Sequence, residues 1–149
     1  MKYNYSVESV NAISASVNKF EGLKEANKEV KSLSGAIRIC TAQKFWEAGY
    51  NKAFSQFGFT DRKSLTLQKF FEALHPSFIE TGKDRNGKKF TAIKLWSVRT
   101  QTTGQGADRK PVTDVAGQPV KEVYLKTVKS FSPVILLKIL AQSDAEKNA

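Results

Sequence analysis

Gly82-Lys83-Asp84-Arg85-Asn86-Gly87-Lys88-Lys89 spaces two glycines and a lysine as a phosphate-cradling loop does. In such a loop the backbone N–H groups and the lysine hold phosphate, a Ser or Thr hydroxyl holds magnesium, and a helix opens directly afterwards. Here Lys89 stands where the hydroxyl belongs, and Phe90 to Val98 alternates like a strand, so the stretch reads as the turn of a β-hairpin. Gly104-Gln105-Gly106 has neither a strand before it nor a helix after it. The remaining chemical inventory is thin. His75, the one histidine, sits beside Pro76 at a helix end, where it caps or faces solvent. Cys40 falls on the apolar side of a helical pattern as a small core residue, with no partner for a disulfide or for structural zinc. Glu80, Asp84, Asp108 and Asp114, with Lys83 or Lys110 near them, are of the right type for a nuclease-like metal site, but their spacing does not favour one. The expectation is a non-catalytic protein without metal or cofactor.

Charge carries the stronger signal. Between Gly82 and Phe131 there are eleven Lys and Arg against four Asp and Glu, a surplus of +7 out of the chain's +10. Basicity is therefore local, which points to a polyanionic partner and to nucleic acid first. If Phe90 to Val98 is a strand, Phe90, Lys94, Trp96 and Val98 share one face while Ile93, Leu95 and Ser97 share the other. A further strand over Val120 to Phe131 separates Tyr124 and Lys126 from Val123 and Leu125 in the same way. Burying Ile93, Leu95, Val123 and Leu125 together would display Phe90, Trp96, Tyr124, Lys94 and Lys126 as a platform where bases stack and ammonium groups meet phosphates. The alternative is a sheet covered on both faces, with Trp96 and Phe90 in the core. The expected binding residues are Lys83, Arg85, Lys88, Lys89, Lys94, Trp96, Arg99, Arg109, Lys110, Tyr124 and Lys126.

These residues need a frame to hold them. Val7, Val10, Ile13, Val17 and Phe20 recur at helical spacing behind Ser6, and residues 1–34 read as an amphipathic helical arm, with Gly22 in its middle and Glu21, Lys24, Glu25, Lys28 and Glu29 as a mixed-charge surface. Ser32, Ser34 and Gly35 mark a break, and residues 35–149 read as one globular α+β domain. Ala36 to Phe57 is expected as a second helix, ended by Gly58. Ser64 is expected to cap a third helix carrying Leu67, Phe70, Phe71 and Leu74, closed by His75-Pro76. Asn86-Gly87 predicts a two-residue type I′ turn between a strand near Ser77 to Gly82 and one from Lys88 to Thr100. With Val120 to Phe131 they make a three-stranded antiparallel sheet. The intervening Thr100 to Pro119 is a binding loop, an extended arm or a small hairpin of its own. Ser132-Pro133 opens a deeply buried C-terminal helix.

In order of elements this resembles the winged-helix DNA-binding domains, with Ser64 to Leu74 as the groove helix and Gly82 to Phe131 as the wing. The exposed side of that helix, Thr66, Gln68, Lys69 and Glu72, sets one base beside one acid, so backbone or single-strand contact through the hairpin is favoured over groove reading. A structural or assembly protein, for example a minor component of a viral particle, is the rival. It would use the N-terminal helix and the 100–119 loop for contacts, including homo-oligomeric ones. An inhibitor that docks its basic loop on an acidic protein is a third reading. No apolar run is long enough for a membrane span, no signal pattern precedes Val7, and the lone cysteine fits a reducing compartment, so the cytoplasm is expected.

Overall fold

Lys89–Thr100 contains neither proline nor glycine and is rich in β-formers, and it makes one long strand at the centre of the main sheet. The computed structural model describes residues 2–18 and 29–149. Its helices are α1 (Val7–Asn18), α2 (Leu33–Thr41), the short α3 (Gln43–Phe45) and α4 (Asn51–Ser55) around a π-turn, α5 (Leu67–Ala73) and α6 (Pro133–Lys147). Its strands are β1 (Ile79–Lys83), β2 (Lys89–Thr100), the two-residue β3 (Thr102–Thr103) and β4 (Lys110–Pro111), and β5 (Lys121–Thr127). The class is α+β, with a three-stranded antiparallel sheet in the order β1-β2-β5 and a buried C-terminal helix. β1 and β5 take different parts of β2. The first ladder runs from Ile79 opposite Ile93 to Lys83 opposite Lys89, and the second from Lys94 opposite Thr127 to Thr100 opposite Lys121.

The core lies between the Ile93 and Leu95 side of β2 and the helices. Ala36, Cys40, Ala53, Phe54, Phe70, Leu136, Leu137 and Ile139 are all 0% exposed there. α6 begins as its sequence predicts. The Ser132 hydroxyl accepts the Ile135 N–H at 3.2 Å, and Pro133 opens the first turn, where its missing N–H costs nothing. Val30 and Phe131 exchange two main-chain hydrogen bonds of 2.7 Å, which ties the entry to α2 onto the entry to α6. No helix among the described residues is long and apolar enough to cross a membrane.

Several expectations are corrected. The helical pattern of residues 1–34 is realised as α1 over Val7–Asn18, while Leu33 already belongs to α2, capped by Ser32. Phe20, Glu21, Gly22, Lys24, Glu25 and Lys28 lie outside the described residues. The expected Ala36 to Phe57 helix is broken, because Ala42 is extended and Gly49 sits at φ 141°, a left-handed conformation that stops helical propagation. Thr66 and not Ser64 caps α5. Ser64 instead closes a capping box with Asp61 around a short 3-10 turn. The hairpin turn is not type I′, since no non-glycine described residue has positive φ. Gly87 alone is left-handed, at φ 76°, and its N–H donates to the Asp84 carbonyl, while the Asp84 N–H donates to the Lys88 carbonyl. This is the longer loop in which a type I turn is followed by one left-handed residue. The Asp84 Oδ1 accepts the N–H groups of Asn86 and Lys88, both at 2.9 Å, which explains the preference for Asp at that position.

Residues 100–119 take the third of their expected forms. β3 pairs with β4, and Asp114 to Gln118 repeats the Asp84 turn with the same bonds, Oδ1 to the N–H groups of Ala116 and Gln118 and Gly117 at φ 78°. Gln101, Val112 and Val120 join these hairpins to the end of the main sheet. Gln101 N–H donates to Val120 O, Val112 N–H to Gln101 O and Val120 N–H to Val112 O, each at 2.8 Å.

Candidate nucleic-acid interface

The tip of the β1–β2 hairpin is the densest basic feature. Lys83, Arg85, Lys88 and Lys89 are all exposed, and none has an ion-pair partner among the described residues. Asp84, the one acid in the turn, directs its Oδ1 at two backbone N–H groups. Phe90 stands beside them at 42% exposure. Its register partner is Gly82, and a Cβ there would fall 2.9 Å from Phe90 Cζ, so the missing side chain lets the ring lie over the strand.

Arg109 and Lys110 are exposed as well, but they belong to the small hairpin beyond the other end of β2. Arg109 Nε donates to the Thr102 hydroxyl at 2.7 Å, which orients the guanidinium. β2 is 12 residues long, so at about 3.3 Å per residue its two ends, each beside one basic group, lie roughly 36 Å apart along the strand.

Between these ends the expected cations are largely engaged. Lys94 Nζ meets Glu80 at 2.7 Å and the Thr127 hydroxyl at 2.6 Å. Arg99 Nε meets Glu122 at 2.8 Å, and its guanidinium lies 4.3 Å from the centre of the Tyr124 ring. Lys126 is exposed, with neither an ion pair nor a side-chain hydrogen bond among the described residues.

The register overturns the single aromatic platform. Trp96 is opposite Leu125 and Val98 opposite Val123, while Ser97 faces Tyr124 and Leu95 faces Lys126. Paired residues share a face, so Trp96 and Lys94 lie on one side of the sheet and Tyr124 and Lys126 on the other. The expected grouping differs by one residue of register, and a one-residue slip moves every side chain of a strand to the opposite face. Trp96 is also covered. The Tyr5 ring stacks on it at 5.2 Å and 14°, and Tyr5, Val10 and Phe78 form a second apolar cluster with Trp96, Val98 and Val123 packed against it.

The segment before α1 is held in place by α6. Glu146, 4% exposed, accepts the Lys2 N–H at 2.6 Å and the Tyr3 N–H at 3.1 Å, while the Tyr5 hydroxyl donates to the Gln142 carbonyl at 2.9 Å. Burial pushes the Glu146 carboxyl up, but the main-chain donors of Lys2 and Tyr3 outweigh it and hold the group below its ordinary value. A depressed carboxyl contributes stability above the unfolded value and loses it as pH falls through the folded one. Acidification of the wild type is therefore expected to free this segment and raise quenching of Trp fluorescence by acrylamide. Glu146→Gln should show raised quenching already at neutral pH and little further acid response, and a variant indistinguishable from wild type at every pH would refute this pinning.

The catalytic candidates have structural duties. His75 Nδ1 accepts the Ser77 N–H at 3.2 Å and lies 2.7 Å from the Ser77 hydroxyl, capping the turn Pro76–Phe78. Cys40 is 0% exposed, and burial pushes its thiol up to about 12, so it stays protonated at neutral pH. Among the described residues no group of three His, Cys, Asp or Glu could hold a metal ion.

One feature escaped the sequence reading. A cleft of about 730 Å³ opens between α1, β2–β5 and α6, and Lys126, Lys129 and Lys138 all line it. The signal was present: Lys138 is the one charge in the otherwise apolar run Val134 to Ala141. Burial lowers its pKa, and the nearby Lys126 lowers it further. No protein-family model, no curated protein and no solved structure matches this chain, so its chemistry is read from these side chains alone.

Proposed function

We propose that the protein is a non-catalytic nucleic-acid-binding protein that grips the phosphate backbone from the two ends of β2. The observation that carries this reading is the hairpin tip, where four exposed cations without ion-pair partners among the described residues flank a half-exposed Phe90. Unpaired ammonium and guanidinium groups displace condensed counterions from a polyanion, and that release drives association. Phe90 offers a ring for an unstacked base. Arg109 and Lys110 supply a second contact, and the separation of roughly 36 Å corresponds to about ten nucleotides at the rise of a stacked strand. Lys94 and Arg99 contribute little, because Glu80 and Glu122 already compensate them.

Binding of fluorescent oligonucleotides of increasing length tests this. Affinity should fall steeply with salt, and oligonucleotides of about sixteen nucleotides should bind about tenfold or more tightly than those of about six, since only the longer ones reach both ends. No binding at low ionic strength, or an affinity indifferent to salt, would refute the proposal.

A further inference from the structure

The hairpin ends are exposed points, whereas the cleft between α1, β2–β5 and α6 is a concavity with its own cations. We propose that this cleft is a second site, which takes a single phosphate-bearing group of mononucleotide size between Lys126 and Lys138. Its volume of about 730 Å³ lies within the range of small-molecule sites, roughly 300–1,000 Å³. Lys126 of β5 and Lys138 of α6 both line it, and so does Lys129. Ser14, Ser97 and Ser130, each half-buried as a residue, also line it, and their hydroxyls have no hydrogen-bond partner among the described residues. Among the described residues Glu29 is the one carboxylate of the lining, and no ion pair joins it to any of the lysines.

The electrostatics favour a multiply charged anion. Lys138 is the one ammonium in the apolar first half of α6, destabilised by burial and by the like charge of Lys126. A single carboxylate would leave one of the pair uncompensated. A phosphomonoester carries close to two negative charges and three acceptor oxygens, so it can meet both ammonium groups and the hydroxyls together. The remaining space admits the sugar and base of one nucleotide. The same chemistry has two sources, a free mononucleotide or the phosphorylated end of a strand.

Adding inorganic phosphate or thymidine 5′-phosphate to the full-length protein, with lysine side-chain signals followed by NMR, reads the site directly. Either ligand should shift Lys126 and Lys138 and raise the pH at which Lys138 titrates. Lys138→Met and Lys126→Met should each weaken thymidine 5′-phosphate by about ten- to a hundredfold, the range for a charge-assisted hydrogen bond. Lys138→Met should leave oligonucleotides that lack a terminal phosphate within about twofold of wild type, because the hairpin ends are untouched. A 5′-phosphorylated oligonucleotide that gains affinity through Lys138 while free thymidine 5′-phosphate does not bind would assign the site to strand ends. Unshifted lysine signals with all three ligands, or equal affinities in wild type and variants, would overturn the proposal. A protein whose hairpin cations are removed should still bind thymidine 5′-phosphate, so failure at one site is distinguishable from failure at the other.

Discussion

Replacing Lys83, Arg85, Lys88 and Lys89 together by alanine is expected to lower oligonucleotide affinity by about a hundredfold near physiological salt and to flatten its salt dependence. Each phosphate contact contributes about 0.7 to 0.9 to the slope of log affinity against log salt, so losing four contacts removes about three from it. The fold should survive. All four side chains are exposed, none holds an ion pair among the described residues, and the turn is closed by main-chain bonds to Asp84 and by Gly87. Thermal unfolding should therefore match wild type while binding falls, which separates loss of contact from loss of structure. Lys94→Ala and Arg99→Ala are the informative controls, because Glu80 and Glu122 meet those charges in the free protein. If binding followed net charge alone, each control would cost as much as one tip residue. If local unpaired charge decides it, they should cost less than about twofold. A quadruple variant with an unchanged salt slope would remove the tip from the interface.

What the sequence revealed followed local physics, and what it concealed depended on distant contacts. The Ser132-Pro133 start of α6 and the β1–β2 hairpin are written within a few neighbouring residues, and both formed where expected, although the turn is the longer Asp84 to Lys88 loop and not the two-residue Asn86-Gly87 turn. The α+β class followed from the change of hydrophobic period near His75. Register is different in kind. Alternation says that Trp96 and Tyr124 each choose a face, but only the pairing of Ser97 with Tyr124 decides that the faces are opposite, and that pairing spans two intervening hairpins. Gly49 shows a second limit. Residues 36–57 keep a helical pattern of apolar positions through it, and φ 141° at one glycine is enough to divide the segment. The covering of Trp96 by Tyr5 depends on Glu146, at the far end of the chain, holding the main chain of Lys2 and Tyr3. The cleft was hidden for the same reason: Lys126 and Lys138 each stand out locally, but nothing in the sequence joins them until β5 and α6 bring them to one cavity.

Gln142 is where that tertiary frame can be tested most sharply. β1 begins opposite Ile93, so on that edge of β2 the main chain of Trp96 lies beyond the ladder. α6 completes it with a side chain. Gln142 Oε1 accepts the Trp96 N–H and Gln142 Nε2 donates to the Trp96 carbonyl, both at 2.9 Å, with Gln142 only 1% exposed. The amide thus acts as one more residue of strand. Gln142→Leu has nearly the same volume and opens no large cavity, yet it leaves both main-chain groups without this partner. At about 0.5–1.5 kcal/mol for each of the two hydrogen bonds lost, the expected loss of stability is about 1–3 kcal/mol, measured by chemical denaturation. Gln142→Glu discriminates further. An ionised carboxylate still accepts the N–H but faces the carbonyl with like polarity, whereas a protonated one restores a donor. Burial and the carbonyl should raise that carboxyl above its unfolded value, so the penalty is full at neutral pH and shrinks as pH falls through the raised folded value. A Leu variant as stable as wild type, or a Glu variant whose deficit ignores pH, would show that the amide does not hold this edge.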